Sequence, residues 1–163
     1  MAMAEEGVKF FCDDQLGKLC RWLRIIGQDA VYEREIADEE LIARARSEGR
    51  TILTRDTRLA AKAPGAEVVL LDENYPAHQL REVVLRFGDR IEIRVFSRCV
   101  ACNGEIEATA KEEVREKVPP FVFSTQEKFT RCKSCGKIYW QATHRERVDR
   151  ALRDVLGELW KEA

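Results

Sequence analysis

A chain of 163 residues has room for one ordinary domain, or for one compact body plus a small module stapled by a metal. It is 45% hydrophobic and 35% charged, which describes a globular protein with a heavily charged surface, and its 28 Lys and Arg against 29 Asp and Glu leave a net charge of −1. Attraction to nucleic acid through overall charge is therefore excluded, and any such binding has to come from local patches.

No apolar run approaches the roughly 18 residues of a membrane span. The amino terminus, MAMAEEGVK, lacks signal-peptide character, so the expected location is the cytoplasm, with no membrane partner.

The first ordered stretch is Phe10 to Gly27, FFCDDQLGKLCRWLRIIG. Val8 to Cys12 is a short apolar run that suits a strand buried on both faces, and it ends at Asp13 and Asp14. From Leu16 the apolar residues fall at helical spacing (Leu19, Cys20, Leu23, Ile26), while Lys18, Arg21 and Arg24 line another face and Gly27 supplies the stop. An acid at a strand end followed by a positively striped helix is one way to hold a metal beside a phosphodiester. The plainer reading makes Asp13 or Asp14 a helix cap and the cations a solvated face.

Asp29 to Tyr32 reads as a second strand, and a helix is predicted from Ala37-Asp38 to Glu48, with Gly49 as its stop. Thr51 to Thr54 is a β-branched third strand, followed by Arg55-Asp56 and a short helical run through Arg58 to Ala61. Glu67 to Leu71 is the fourth strand, closed by Asp72, and Pro76 opens a helix that presents Leu80, Val83, Val84 and Phe87 on one side. Strands alternating with helices predict an α/β fold with a mostly parallel sheet. In such a sheet the strands' carboxyl ends share one edge, where ligands bind.

Asp13, Asp56 and Asp72 each follow a predicted strand and Asp38 opens a helix that follows one, so all four belong to that edge; Asp29 precedes its strand and belongs to the other. Carboxylates crowded together repel unless a cation or a proton neutralises them. Mg²⁺ or Mn²⁺, hard ions that take oxygen ligands, would answer that need. Taken singly, each acid could equally be a cap, a turn residue or a loop acid.

Ile91 to Phe96 alternates apolar and charged residues as a half-exposed strand would, and leads into Cys99-Val100-Ala101-Cys102-Asn103-Gly104. A second pair follows at Cys132-Lys133-Ser134-Cys135-Gly136. Two CxxC pairs at this spacing predict a four-thiolate zinc ribbon, and a site filled by four cysteines leaves no open position, so the metal is read as structural Zn²⁺. Lys137 to Trp140 is the expected strand after the second pair.

Around the knuckles stand Arg98, Lys128, Arg131, Lys133 and Lys137 with Phe129, Tyr139 and Trp140, a set that would suit single-stranded nucleic acid or simply pack the ribbon. His144 is read as outside the metal's shell. Cys12 and Cys20 read as small core residues. The tail from Arg145 to Lys161 repeats apolar residues at helical spacing and should pack against the body or a protein partner, another copy of the chain included.

FFCDDQLGKLCRWLRIIGQD, ADEELIARARSEGRTILTRDTRLA, SRCVACNGEIE, the VPP turn and FTRCKSCGKIYWQATH together resemble the carboxy-terminal RNase domain of the mut-seven family, from about Val8 to His144. The resemblance implies a PIN-like nuclease domain over residues 1–90, a zinc ribbon over 91–144 and a C-terminal helix over 145–163. It implies a metal-dependent endoribonuclease with Asp13, Asp38 and Asp56 as the acids that hold Mg²⁺ or Mn²⁺, and Cys99, Cys102, Cys132 and Cys135 as zinc ligands.

On that reading Lys18, Arg21, Arg24 and Arg55 hold the backbone of single-stranded RNA. PIN-type sites often use a fourth acid, for which Asp14 and Asp72 are the candidates. Cys20 and Ala142 depart from the alanine and glycine more usual in the family. Two other classes compete: a non-catalytic RNA-binding or assembly module, and a phosphatase of a small metabolite.

Overall fold

The computed structural model describes residues 7–140 and 144–160, with the side chain of His144 outside that set together with Gln141 to Thr143 and the termini. The expectations about His144 and Ala142 therefore lie outside the described residues.

Four short strands form a parallel sheet: β1 (Lys9–Cys12), β2 (Asp29–Tyr32), β3 (Thr51–Thr54) and β4 (Val68–Leu70), in the order β2-β1-β3-β4. Phe10, Phe11, Ile52 and Leu53 are fully buried, as two central strands covered on both faces require. Burying each such side chain contributes roughly 1.5 to 3 kcal/mol.

Helix α1 (Gly17–Ile25), entered through a 3-10 turn at Asp14–Leu16, and α4 (Pro76–Phe87) pack together on one face; α2 (Asp38–Glu48) and α3 (Thr57–Ala61) cover the other. The larger core joins Phe10 and Cys12 of β1 to Leu19, Cys20 and Leu23 of α1 and Leu80, Val83 and Phe87 of α4; the smaller joins Phe11 and Ile52 to Leu41, Ile42 and Leu59. Alternate residues of β1 thus feed different cores, which is the period of two of an extended chain. Helix α6 (His144–Leu156) lays Leu152 and Leu156 into the larger core beside α4, so the apolar face of the tail is used within the chain.

The cysteine module has a three-stranded antiparallel sheet, β5 (Ile106–Thr109), β6 (Phe129–Cys132) and β7 (Ile138–Trp140), and a short helix α5 (Pro120–Thr125). Of these, only β7 is apparent in the hydrophobic pattern. Phe129, Val114 and Val118 form a third small core against which Trp140, Ile138 and Phe123 pack, so Phe129 and Trp140 serve the ribbon's interior.

The strand expected over Ile91 to Phe96 does not form. The N–H groups of Arg94 and Phe96 instead donate to the carbonyls of Ile26 (2.9 Å) and Ile25 (2.9 Å) at the end of α1, and the Gln28 side chain donates to the Glu92 carbonyl (2.8 Å). Gly27 makes this approach feasible: its φ is +93°, and a Cβ there would stand 2.4 Å from the Arg94 carbonyl oxygen.

The seam continues into the first knuckle. Asn103 donates to Asp29 (2.7 Å) and accepts from the Ala30 N–H (3.0 Å), while Arg50 donates to Asp29 (2.7 Å) and Arg98 lies 4.0 Å from it. Asp29 is thus on the amino edge of the sheet, where its place as the first residue of β2 puts it, and joins the module to the body. Burial pushes its carboxyl up, but the hydrogen bonds from Arg50 and Asn103 and the nearby guanidinium charges outweigh burial and hold it below its ordinary value.

A group with a depressed folded pKa stabilises the fold above its unfolded pKa and loses that contribution as pH falls through the folded value. Asp29→Asn is expected to cost about 2 kcal/mol at neutral pH, the scale of a charged hydrogen bond lost. Denaturant melts of both proteins from pH 7 down to below pH 3.8, the ordinary aspartate value, should show the gap between them narrowing. A gap that is constant with pH would exclude the charge as its source.

Candidate functional site

The chain leaves β1 to one side to form β2, then crosses back over β1 to form β3. Between the carboxyl ends of β1 and β3 the connections diverge to opposite faces, and a crevice opens at such a point in α/β sheets. The pairing of Cys12 with Leu53 continues one step further, with the Asp13 N–H donating to the Leu53 carbonyl at 3.1 Å, so Asp13 comes beside Thr54.

The Thr54 hydroxyl, fully buried, donates to Asp13 Oδ2 and accepts from the Asp56 N–H at 2.9 Å. The other Asp13 oxygen accepts from the Gln15 N–H at 2.9 Å, and Asp56 Oδ1 accepts from the Arg58 N–H at 2.8 Å. Both acids therefore cap the turns that follow their strands, as the plainer sequence reading had it, and they do so side by side in the crevice.

Thr54 was not singled out in the sequence. Its signal is a hydroxyl two residues before an acid at a strand end, a spacing that permits side-chain bonding to the following backbone.

Asp13 is 8% exposed. Burial raises its carboxyl above the ordinary value; the hydrogen bonds from Thr54 and Gln15 oppose this, and the charges of Asp56 and Asp14 add to it. Among the described residues no Lys or Arg forms an ion pair with it. An acid raised by burial, with two further acids adding to the rise, has the electrostatics of a cation site.

Asp38 opens α2 and is paired with Lys62 at 3.7 Å. Asp13, Asp38 and Asp56 do not come together closely enough to ligate one ion as they stand; among the described residues the four cysteines are the group that does. Asp14, next in the chain, accepts from the Glu35 N–H at 2.9 Å, and Asp72 faces Arg86 at 3.2 Å.

The expected cationic stripe divides. Lys18 and Arg21 are exposed, and Arg55 bonds Asn74 across the same edge. Arg24 points the other way: its guanidinium donates to the carbonyls of Ala30 (2.9 Å), Val100 (3.0 Å) and Ala101 (3.4 Å). The residue expected to hold RNA is engaged with the first knuckle, because the fold brings backbone carbonyls beside the end of α1 and its guanidinium donates to them.

In the module, one ligand atom from each of Cys99, Cys102, Cys132 and Cys135 lies within 4.8 Å of the others, with Cys99 and Cys135 sulfurs 3.7 Å apart and Cys102 and Cys132 sulfurs 3.4 Å apart. Tetrahedral zinc with Zn–S bonds of about 2.3 Å needs sulfurs at about this spacing, so the set fits structural zinc.

Burial raises the Cys99 thiol, but the Tyr139 hydroxyl at 2.9 Å and the N–H groups of Cys102 and Ala101 lower it to about 6. Desolvation, together with Cys132, Cys135 and Cys99, pushes Cys102 up to about 12. Four thiols this close cannot all ionise without a cation. Gly104 has no room for a side chain: a Cβ would stand 2.7 Å from the Cys132 sulfur.

Among the described residues no helix is long and apolar enough to cross a membrane. No solved structure matches the chain. The chain is 37% identical over 98 residues to the human exonuclease mut-7 homolog, a stretch that covers 56% of this chain and 11% of that much longer protein. The family described as the Mut7-C RNAse domain matches residues 8–152, and with its α/β body, paired strand-end acids and four-cysteine cluster the chain belongs to that family.

Proposed function

We propose that, within the nuclease-type function of its family, this chain is a metal-dependent endoribonuclease that hydrolyses phosphodiester bonds of single-stranded RNA. The observation that carries the reading is Asp13, a buried carboxylate without a cationic partner among the described residues, tied through Thr54 to Asp56 where two strands end side by side.

Asp13 and Asp56 would hold Mg²⁺ or Mn²⁺. Asp38 would join them by exchanging Lys62, since an exposed ion pair at 3.7 Å holds it weakly. Asp14 is the better placed candidate for a fourth acid, since its charge acts on Asp13. A divalent ion so held supplies charge for the phosphoryl oxygens and lowers the pKa of water. The chain's own part is to fix the acids and the RNA: Thr54 ties the Asp13 carboxylate to the backbone of Asp56, and Lys18, Arg21 and Arg55 face the strand's phosphates, a salt-sensitive and sequence-independent grip. Four thiols that bind zinc fit a reducing compartment, the cytoplasm.

Cleavage of a circular single-stranded RNA with Mg²⁺ or Mn²⁺, and none with chelator, is the expected result; a circle has no ends, so cutting it separates endonuclease from exonuclease action. Asp13→Asn should abolish cleavage while keeping the fold and the zinc content. Uncut RNA under every metal condition, or a wild-type rate from Asp13→Asn, would reject the proposal.

Thr54→Val keeps the shape and removes the hydroxyl, so activity or metal affinity should fall roughly 10- to 100-fold, as for other residues that orient ligands. Thr54→Ser should restore most of it, and equal losses in the two would argue against the hydroxyl.

Zinc removal should reach the nuclease body as well as the ribbon, because Asn103 follows the ligand Cys102 and accepts from Ala30 of β2. Amide hydrogen exchange at Ala30 is expected to quicken on chelation together with the ribbon amides. Exchange at Ala30 that ignores zinc would show the two parts to be independent.

A further inference from the structure

Lys18, Arg21, Trp22 and Ile25 of α1 and Tyr75, Pro76 and Ala77 at the start of α4 line an open cleft of about 520 Å³. Its walls follow from local rules. Lys18, Arg21, Trp22 and Ile25 recur at helical i, i+3, i+4 and i+7 spacing, so one side of α1 is cationic at the rim and apolar at the floor. Trp22 is half-buried against the larger core and is held by it. Tyr75 precedes Pro76, adopts the extended backbone that a following proline favours, and projects its ring into solvent at 67% exposure. The ring of His78 stands edge-on to it with centroids 5.7 Å apart.

The cleft is joined to the candidate active site at both walls. Lys18 lies in the first turn of α1, directly after the turn that Asp13 caps. Asn74, immediately before Tyr75, accepts from Arg55, the neighbour of Asp56. A large ring left in water, an apolar floor and two exposed cations with no acidic partner among the described residues together make a surface that matches a nucleobase and its phosphate.

We propose that this cleft takes one unpaired base of the RNA strand next to the scissile phosphate, with the base stacked on Tyr75 over the apolar floor of Trp22 and Ile25 and its phosphate held by Lys18 and Arg21. The proposal rests on the reading of the acids as a ribonuclease site. It gives that site a requirement for single strands, since a base paired in a helix has no free face to stack.

Binding of a labelled 12-nucleotide single-stranded RNA by the full zinc-loaded chain, measured by fluorescence anisotropy with the divalent metal left out, tests it without cleavage. Tyr75→Ala should weaken binding roughly tenfold, the scale of one lost base stack, and Tyr75→Phe should retain it. Abasic residues walked along the oligonucleotide should reveal one position that reproduces the loss, at which Tyr75→Ala adds nothing further. Because Tyr75 is exposed, thermal melting of Tyr75→Ala should match wild type.

Equal binding by wild type and Tyr75→Ala, additive losses at every abasic position, or the same Tyr75 dependence with double-stranded RNA would overturn the proposal. A chain that shows the whole pattern yet does not cut RNA when Mg²⁺ or Mn²⁺ is restored would retain the cleft and lose the catalytic reading. A chain that binds no RNA would lose the cleft on this assay alone. Binding of an acidic peptide with the same Tyr75 dependence, in place of RNA, would reassign the surface to a protein.

Discussion

One hydroxyl joins two strand ends. Thr54 donates to the carboxylate of Asp13 and accepts from the backbone of Asp56, so two acids more than forty residues apart in the chain become neighbours of fixed geometry. The Thr54 hydroxyl and the Asp13 oxygen it meets belong to buried residues, where a polar group without a partner is costly. Placing them there is the task of the parallel pairing of β1 with β3, and that pairing is held in turn by Phe10, Phe11, Ile52 and Leu53, each buried completely. The packing of the sheet and the chemistry of the crevice are consequences of one register.

The cysteine module is sewn to that sheet at its opposite edge. Asp29, Arg50, Asn103 and Arg98 form a cluster of charge-assisted contacts, and Arg24 closes the seam from α1 by satisfying carbonyls of the first knuckle. Gly27 lets the linker approach closely enough to hydrogen-bond the end of the helix. A zinc ion here would therefore stabilise more than the small third core of the ribbon, since metal binding energy acts on whatever the ligands are coupled to.

A net charge of −1 conceals how the charges are sorted. Arg24, Arg50 and Arg98 are engaged in structure. Arg131 and Lys133, which flank the second knuckle, are paired across the ribbon sheet with Glu107 and Glu105. Lys18 and Arg21 stand exposed beside an edge that carries Asp13, Asp14 and Asp56. Sorting of this kind gives a nearly neutral molecule a local field at one edge, which is where a polyanion and a hard cation would have to meet.

The sequence by itself determined the order of the first four strands and helices, since buried parallel strands read as apolar runs and amphipathic helices keep their period. It also determined the four cysteines, because paired CxxC spacing leaves few other uses for them. It placed Asp13 and Asp56 on one edge and Asp29 on the other through topology alone. Tertiary structure decided the rest. Whether Ile91 to Phe96 became a strand depended on the carbonyls of Ile25 and Ile26 at the end of α1, which take its N–H groups, and whether Arg24 faced solvent depended on carbonyls 76 and 77 residues away. The roles of Thr54 and Tyr75 likewise arise from neighbours far off in the chain, Asp13 for one and the α1 stripe for the other. Local pattern reports the period of the backbone, whereas the partner of a polar or aromatic side chain is set by distant segments that only the folded chain brings into contact.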